Sequence, residues 1–250
     1  MTSPSPQTVE DLGLQGCVYL SALLQAQDEG LGVTPTDRLT LATMAELKGL
    51  GVIDVPWPEN RWNLEPRAEI TPAEGFQWRY AWSAYARNLI GEALEEYLQS
   101  IPRDELACPW RTQLWQTLSV AETEQYFEQQ LVKHRFEASW AQDIVLVHQQ
   151  RRPALSIARW RYCCWAAVRH GASVSQQQAT PDTAVVRDAI YSELRRRADQ
   201  VASGAWPNCS FPPSNPRPTN ALGRLFVEVL SRVQDAFWTI PASDAGFSAG

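Results

Sequence analysis

The stretch Phe76–Gln99, FQWRYAWSAYARNLIGEALEEYLQ, decides how the chain is read. On a helical wheel Trp78, Trp82, Tyr85 and Leu89 share one face, and Phe76, Tyr80, Leu94 and Leu98 fall nearly opposite. Only Gln77, Asn88, Glu92, Glu95 and Gln99 are left for water. A helix apolar on two sides is buried between layers, so the spacing predicts a central helix over 76–99 with the rest of the protein packed around it. Its rings are read as core, at roughly 1.5–3 kcal/mol per buried side chain. The other reading of such a stripe is a stacking platform for bases or a ligand box.

Upstream of it, Thr8 followed by Asp11 is a helix cap with an acidic first turn, opening a helix over 9–27 with Leu12, Val18, Tyr19, Leu23 and Leu24 as its apolar positions. Thr36 leads into a second helix, Asp37–Lys48, closed by Gly49 and Gly51. A strand, Val52–Val55, the turn PWPEN and a return strand over Arg61–Leu64 follow. Helix, helix, glycine stop, strand, turn and strand is an order that resembles a winged-helix unit, with Leu47–Ile53 as the junction between recognition helix and wing. The resemblance covers about sixty residues and implies DNA reading through the second helix. Charge argues for a protein-binding or structural role instead. Residues 1–75 carry Arg38, Lys48, Arg61 and Arg67 against eleven acidic residues, and phosphate neutralisation supplies most non-specific DNA affinity.

Downstream, Pro102 and Pro109 bracket a connection. Ser119 with Glu122 reads as a capping box opening a helix to about Ala141, and Ile144–Val147 either extends that helix or forms a short strand. Pro153 starts a helix rich in small residues, ALSIARWRYCCWAAVRH, and 171–179 reads as a polar loop. Thr180-Pro181-Asp182 starts the next helix, with Pro at its first position, running to about Gly204. The segment Trp206–Pro218, WPNCSFPPSNPRP, is expected to be extended and at the surface. A last helix over Thr219–Phe237 buries Leu222, Leu225, Phe226, Val229 and Val233 on one face.

The expected architecture is therefore mainly α, with at most a small β-hairpin. A flexible tail over 1–7 precedes a winged-helix-like unit over 8–70. This packs on a Trp-rich helical domain over 71–240 that carries the Pro-rich loop at 206–218, and 241–250 form a second flexible tail. The chain has 250 residues, 44% of them hydrophobic, which suffices for a sizeable core. It lacks a membrane-span run and a basic-then-apolar leader, so a cytoplasmic location is expected. Arg outnumbers Lys heavily, only Lys48 and Lys133 being present, as in GC-rich bacterial genomes. The five cysteines are odd in number and irregularly spaced, which points to free thiols.

No motif specifies a chemistry. Gly246–Gly250 spells G-x-S-x-G without the strand and helix that expose such a serine. His134 and Glu137 stand one turn apart without a matching pair of metal ligands, and Cys163-Cys164, being adjacent, point to different parts of a helix surface. Cys164, with Arg159, Arg161 and His170 nearby, and Glu137 are the positions to test for an enzyme lacking a recognisable motif. Glu95-Glu96 and Glu122-Glu124 diverge, so neither forms an acid/base dyad. Nothing in the sequence calls for a cofactor or a metal.

Charge is the remaining signal. Residues 1–150 hold ten Lys/Arg against twenty-one Asp/Glu, whereas 151–200 hold nine against four. Arg151, Arg152, Arg159, Arg161 and Arg169, interleaved with Trp160, Tyr162 and Trp165, together with Arg195, Arg196 and Arg197, form the candidate binding set. These arginines pair with the acidic half of the chain, dock a protein partner, or hold a nucleic-acid backbone with stacking. The leading expectation is a non-catalytic interaction or adaptor subunit of a bacterial multi-protein assembly. It would dock a protein partner through a charge-polarised surface and the Pro-rich loop. Nucleic-acid binding through the 151–197 arginines comes second.

Overall fold

In the computed structural model the protein is described over residues 8–54, 79–80, 84–101, 109–150, 155–178, 180, 182–231 and 233–243. It is mainly helical. The chain divides into two compact units, one of residues 1–106 and 217–232, the other of 107–216 and 233–250.

The first unit opens with α1, Val9–Glu29. The Thr8 hydroxyl accepts from the Asp11 N–H at 3.4 Å while the Asp11 carboxylate accepts from the Thr8 N–H at 3.2 Å, satisfying two otherwise orphaned donors. Gly13 interrupts α1 at φ 63°, ψ 172°, a backbone conformation that a side chain would disfavour, and the helix is kinked there. Helix α2, Asp37–Gly49, is capped by the Thr36 hydroxyl, which accepts from the Leu39 N–H. Strand β1, Ile53–Asp54, follows, and its partner is β2, Arg79–Tyr80, antiparallel with Ile53 opposite Tyr80.

That pairing corrects the reading of 76–99 as one helix. At 79–80 the backbone bonds across to β1, and the Tyr80 hydroxyl donates to Gln27 Oε1 at 2.5 Å. Helix α3 runs over Ala84–Ser100. Nor is α3 buried on both sides. Leu94 and Leu98 are buried, at 1% and 5% exposure, whereas Leu89 on the other face is 50% exposed. The helix packs on α1 instead of organising the whole molecule. Phe76, Trp78, Trp82, the Tyr85 side chain, the expected return strand at 61–64 and the 70/71 boundary lie outside the described residues.

The expected single C-terminal helix is also broken. Asn220 Oδ1 accepts from the Gly223 N–H at 2.8 Å and caps α8, Ala221–Leu225, which passes into a π-helical turn over Phe226–Leu230. The Ser231 N–H and hydroxyl both donate to the Phe226 carbonyl, at 2.8 and 2.7 Å, and this wider ring ends the run. Helix α9, Ala236–Thr239, belongs to the second unit. Within the first unit Arg224 ties α8 to the end of α1 through Glu29 at 2.5 Å.

The second unit is built on α4, Pro109–Lys133; α6, Ile157–Gln176; and α7, Thr183–Ala202. Helix α4 starts ten residues before the expected capping box. Leu114, Trp115 and Leu118 extend the same buried stripe as Phe127 and Leu131, and Ser119 lies mid-helix with its hydroxyl donating to the Trp115 carbonyl at 2.7 Å. A 3₁₀ turn at Ala138–Asp143 leads into the short α5, Ile144–Gln149, which settles 144–147 as helix. Helix α6 continues through the expected loop at 171–176, and α7 is capped by Asp182, whose carboxylate accepts from Ala184 N–H at 2.9 Å; Pro181, expected at the first helical position, lies outside the described residues.

Gly171, inside α6, is where α7 comes closest. A Cβ there would lie 2.7 Å from Ile190 Cδ1 on α7 and closer still to Cγ1, so the missing side chain is what lets α7 settle against α6. Trp160, Cys163, Cys164, Ala167, Val168, Ile190, Leu194 and Ala198 fill the interface as one buried cluster. Replacing Gly171 with Ala is expected to destabilise the protein by about 1–3 kcal/mol through overpacking. Thermal or urea melts of Gly171→Ala, Ile190→Ala and the double variant measure this: the double variant should lose less stability than the sum of the two single losses.

Candidate interaction surface

Helix α6 has two faces. One enters the core. The other carries Tyr162, Trp165 and Arg169, one and two turns apart on a half-exposed stripe. Phe211, from the Pro-rich segment, seats edge-on against both rings, with centroids 5.3 Å from Tyr162 and 5.1 Å from Trp165. Its backbone N–H donates to the Ala158 carbonyl at 2.8 Å. The first half of 206–218 is therefore pinned to α6 rather than standing free.

Arginines frame the rings. The Arg169 guanidinium lies 4.8 Å above the Trp165 ring, and Arg197 lies 4.7 Å above Trp206 while donating to the Tyr162 hydroxyl at 3.0 Å. Arg196 reaches the same Trp206 ring at 5.9 Å. Such stacking contributes about 0.5–1 kcal/mol at exposed sites. Glu193, one turn earlier on α7, holds both cations. It accepts from Arg196 Nε and Nη2, each at 2.7 Å, and from Arg197 Nε at 2.5 Å. The bonds from Arg196, with those from Arg197, outweigh burial and hold the Glu193 carboxyl down at about 2.

The candidate arginines thus occupy distinct settings. Arg196 and Arg197 pair with an acid on their own helix, and Arg187 pairs with Asp143. Arg161 is half-buried, its guanidinium 4.2 Å above Tyr126 and 5.9 Å from the Trp238 ring, with burial pulling its pKa down and Tyr126 and Glu122 opposing. Arg169 and Arg195 are exposed and Arg159 is half-exposed, and none of the three forms an ion pair among the described residues. Arg151 and Arg152 lie outside the described residues.

Cys163 and Cys164 are fully buried, and burial pushes the Cys164 thiol well up, away from the thiolate a nucleophile needs. Glu137 is exposed, and among the described residues no group of three His, Cys, Asp or Glu side chains is gathered to hold a metal ion. No helix among them is long and apolar enough to cross a membrane.

Sequence reasoning passed over two groups. Phe211, hidden in a proline-rich run, completes the aromatic cluster. His148 stacks on Trp160 at 4.2 Å, and burial pulls its pKa to about 3. The Thr123 hydroxyl donates to the Ser119 carbonyl at 2.7 Å, so at 3.4 Å from His148 Nε2 its oxygen acts as acceptor and the ring carries its proton on Nε2. Neither group has a periodicity or motif to mark it. No family model matches the chain, and neither does any curated protein or solved structure.

Both titrating groups give stability a pH dependence of the same sign. His148 ionises near 6.5 when unfolded and near 3 when folded, so the unfolded state takes up the extra proton between those values. Its contribution is complete above pH 6.5 and is lost as pH falls towards 3. Glu193, near 4.5 unfolded and about 2 folded, adds a loss that begins only below pH 4.5. Urea melts from pH 7 to 5 should show falling stability in the wild type and a flatter profile in His148→Gln, while Glu193→Gln should leave that upper limb unchanged.

Proposed function

We propose that the protein is a non-catalytic interaction subunit that docks a protein partner through the arginine–aromatic surface of α6, α7 and the 206–211 segment. The half-exposed stripe of Tyr162, Trp165 and Arg169, held in place by Phe211, carries this reading. Trp, Tyr and Arg dominate binding energy at protein interfaces, and rings fixed before binding lose little entropy on docking. The first unit, with its order α1, α2, β1, β2, is read as a winged-helix-like element with a structural or protein-binding role. The free thiols Cys17, Cys163, Cys164 and Cys209 suit a reducing, cytoplasmic compartment.

A nucleic-acid backbone is the second reading, since stacked rings with nearby arginines also suit bases. It is favoured less because the second unit holds twelve Lys/Arg against eleven Asp/Glu. Two of those cations are also engaged by Glu193.

Affinity capture from the native host, with and without nuclease, tests the proposal when wild type is compared with Trp165→Ser and Arg169→Glu. A stoichiometric protein that survives nuclease and is retained at least about tenfold less by folded variants, a loss of ~1.4 kcal/mol or more, is the expected result. Material that disappears with nuclease would move the surface to nucleic acid, and a partner indifferent to both substitutions would place docking elsewhere.

A further inference from the structure

In the first unit, α1, α3 and the π-helical turn enclose an open groove of about 920 Å³. Leu24, Leu98, Leu225 and Val229 give it an apolar strip, bordered by Ser21, Gln25, Gln27 and Gln99. Its walls are acidic on both sides, Asp28 and Glu29 from α1 facing Glu92 and Glu95 from α3, and no Lys or Arg is among the described residues that line it. Glu29 is bonded to Arg224, whereas Asp28 and Glu92 form no ion pair among the described residues. The α1 wall runs from Ser21 to Glu29 and the α3 wall from Gly91 to Gln99, about 12 Å of helix axis each, the length of two helical turns.

We propose that this groove receives an amphipathic, cationic helix from a partner protein, its aliphatic side chains on the apolar strip and its Lys or Arg side chains against the two carboxylate walls. The strip selects for an apolar helix face and the walls select for positive charge flanking it. The unit as a whole supports the same sign, with ten Lys/Arg against seventeen Asp/Glu. A second copy of this chain is a poorer occupant, because Arg196 and Arg197 of its basic surface are already held by Glu193. The proposal rests on the interaction-subunit reading and supplies it with a second partner chemistry, opposite in charge to the first.

Gly91 provides a clean test. It sits on the α3 wall with nothing within 4 Å of where its Cβ would stand, so a large side chain there has room to fold and intrudes on the groove. The probes are fluorescein-labelled peptides of about 14 residues, four helical turns: one of Leu and Lys with leucines at i, i+3, i+4 and i+7, one with Glu for Lys, and one with Ser for Leu. Anisotropy titration of the full chain should show binding of the Leu/Lys peptide, none of the Leu/Glu peptide, and at least about tenfold weaker binding of the Ser/Lys peptide. Gly91→Phe, and separately Asp28→Lys with Glu92→Lys, should each weaken the Leu/Lys peptide by a similar factor, with folding checked by circular dichroism. Trp165→Ser should leave it unchanged, so this groove and the arginine surface fail independently. Equal binding of the Ser/Lys and Leu/Lys peptides, no binding of either, or indifference to both sets of groove substitutions would overturn the proposal. So would self-association of the chain that the Leu/Lys peptide competes away.

Discussion

Ile190 occupies the space beside Gly171 where a side chain would otherwise stand, and the second unit depends on that close approach. Small residues on the same face, Cys163, Cys164 and Ala167, keep α6 near its neighbours, so α6 and α7 act as one rigid pair with α4 against them. Interiors packed to this density leave little slack. The consequence reaches the surface: with one face of α6 held by the core, Tyr162, Trp165 and Arg169 are presented on the other in a fixed relation to Arg197 of α7.

Several polar groups inside this unit are satisfied by local hydrogen bonds. Ser119 and Thr123 turn their hydroxyls back onto carbonyls four residues earlier, and Thr123 then receives His148. Glu193 is only 8% exposed, yet three short bonds from two arginines compensate its burial. The same bonds restrict where those arginines can reach. A surface that looks strongly basic in sequence is therefore closer to a set of ordered rings edged with guanidinium groups, which favours shape-specific docking over diffuse attraction to phosphate.

The two units differ in chemical character. The first has a groove walled by Asp28, Glu29, Glu92 and Glu95, and the second carries arginines stacked on aromatic rings. On the proposed interaction-subunit reading, such a division keeps two kinds of docking distinct, because like charge on one surface repels ligands suited to the other.

Local order was legible in the residues themselves. The Thr8–Asp11 cap, the helix over 37–48, the strand after Gly51 and the helical nature of the body follow from capping groups, glycine stops and apolar spacing, all of which act within a few residues. Tertiary partners decided the rest. Arg79 and Tyr80 left the helical pattern of 76–99 because β1 offers their backbone a ladder, and Ser119 became an interior residue because Trp115 and Leu118 found a core to enter. Gly171 reads as a loop in sequence and is helical, with Ile190 of α7 packed where its side chain would stand. The arginines show the same limit: their number and spacing were visible, but Glu193, Tyr126 and Trp206 determined which of them remain at the surface. Capping and periodicity are short-range effects, whereas strand pairing, close packing and charge compensation join residues far apart in the chain.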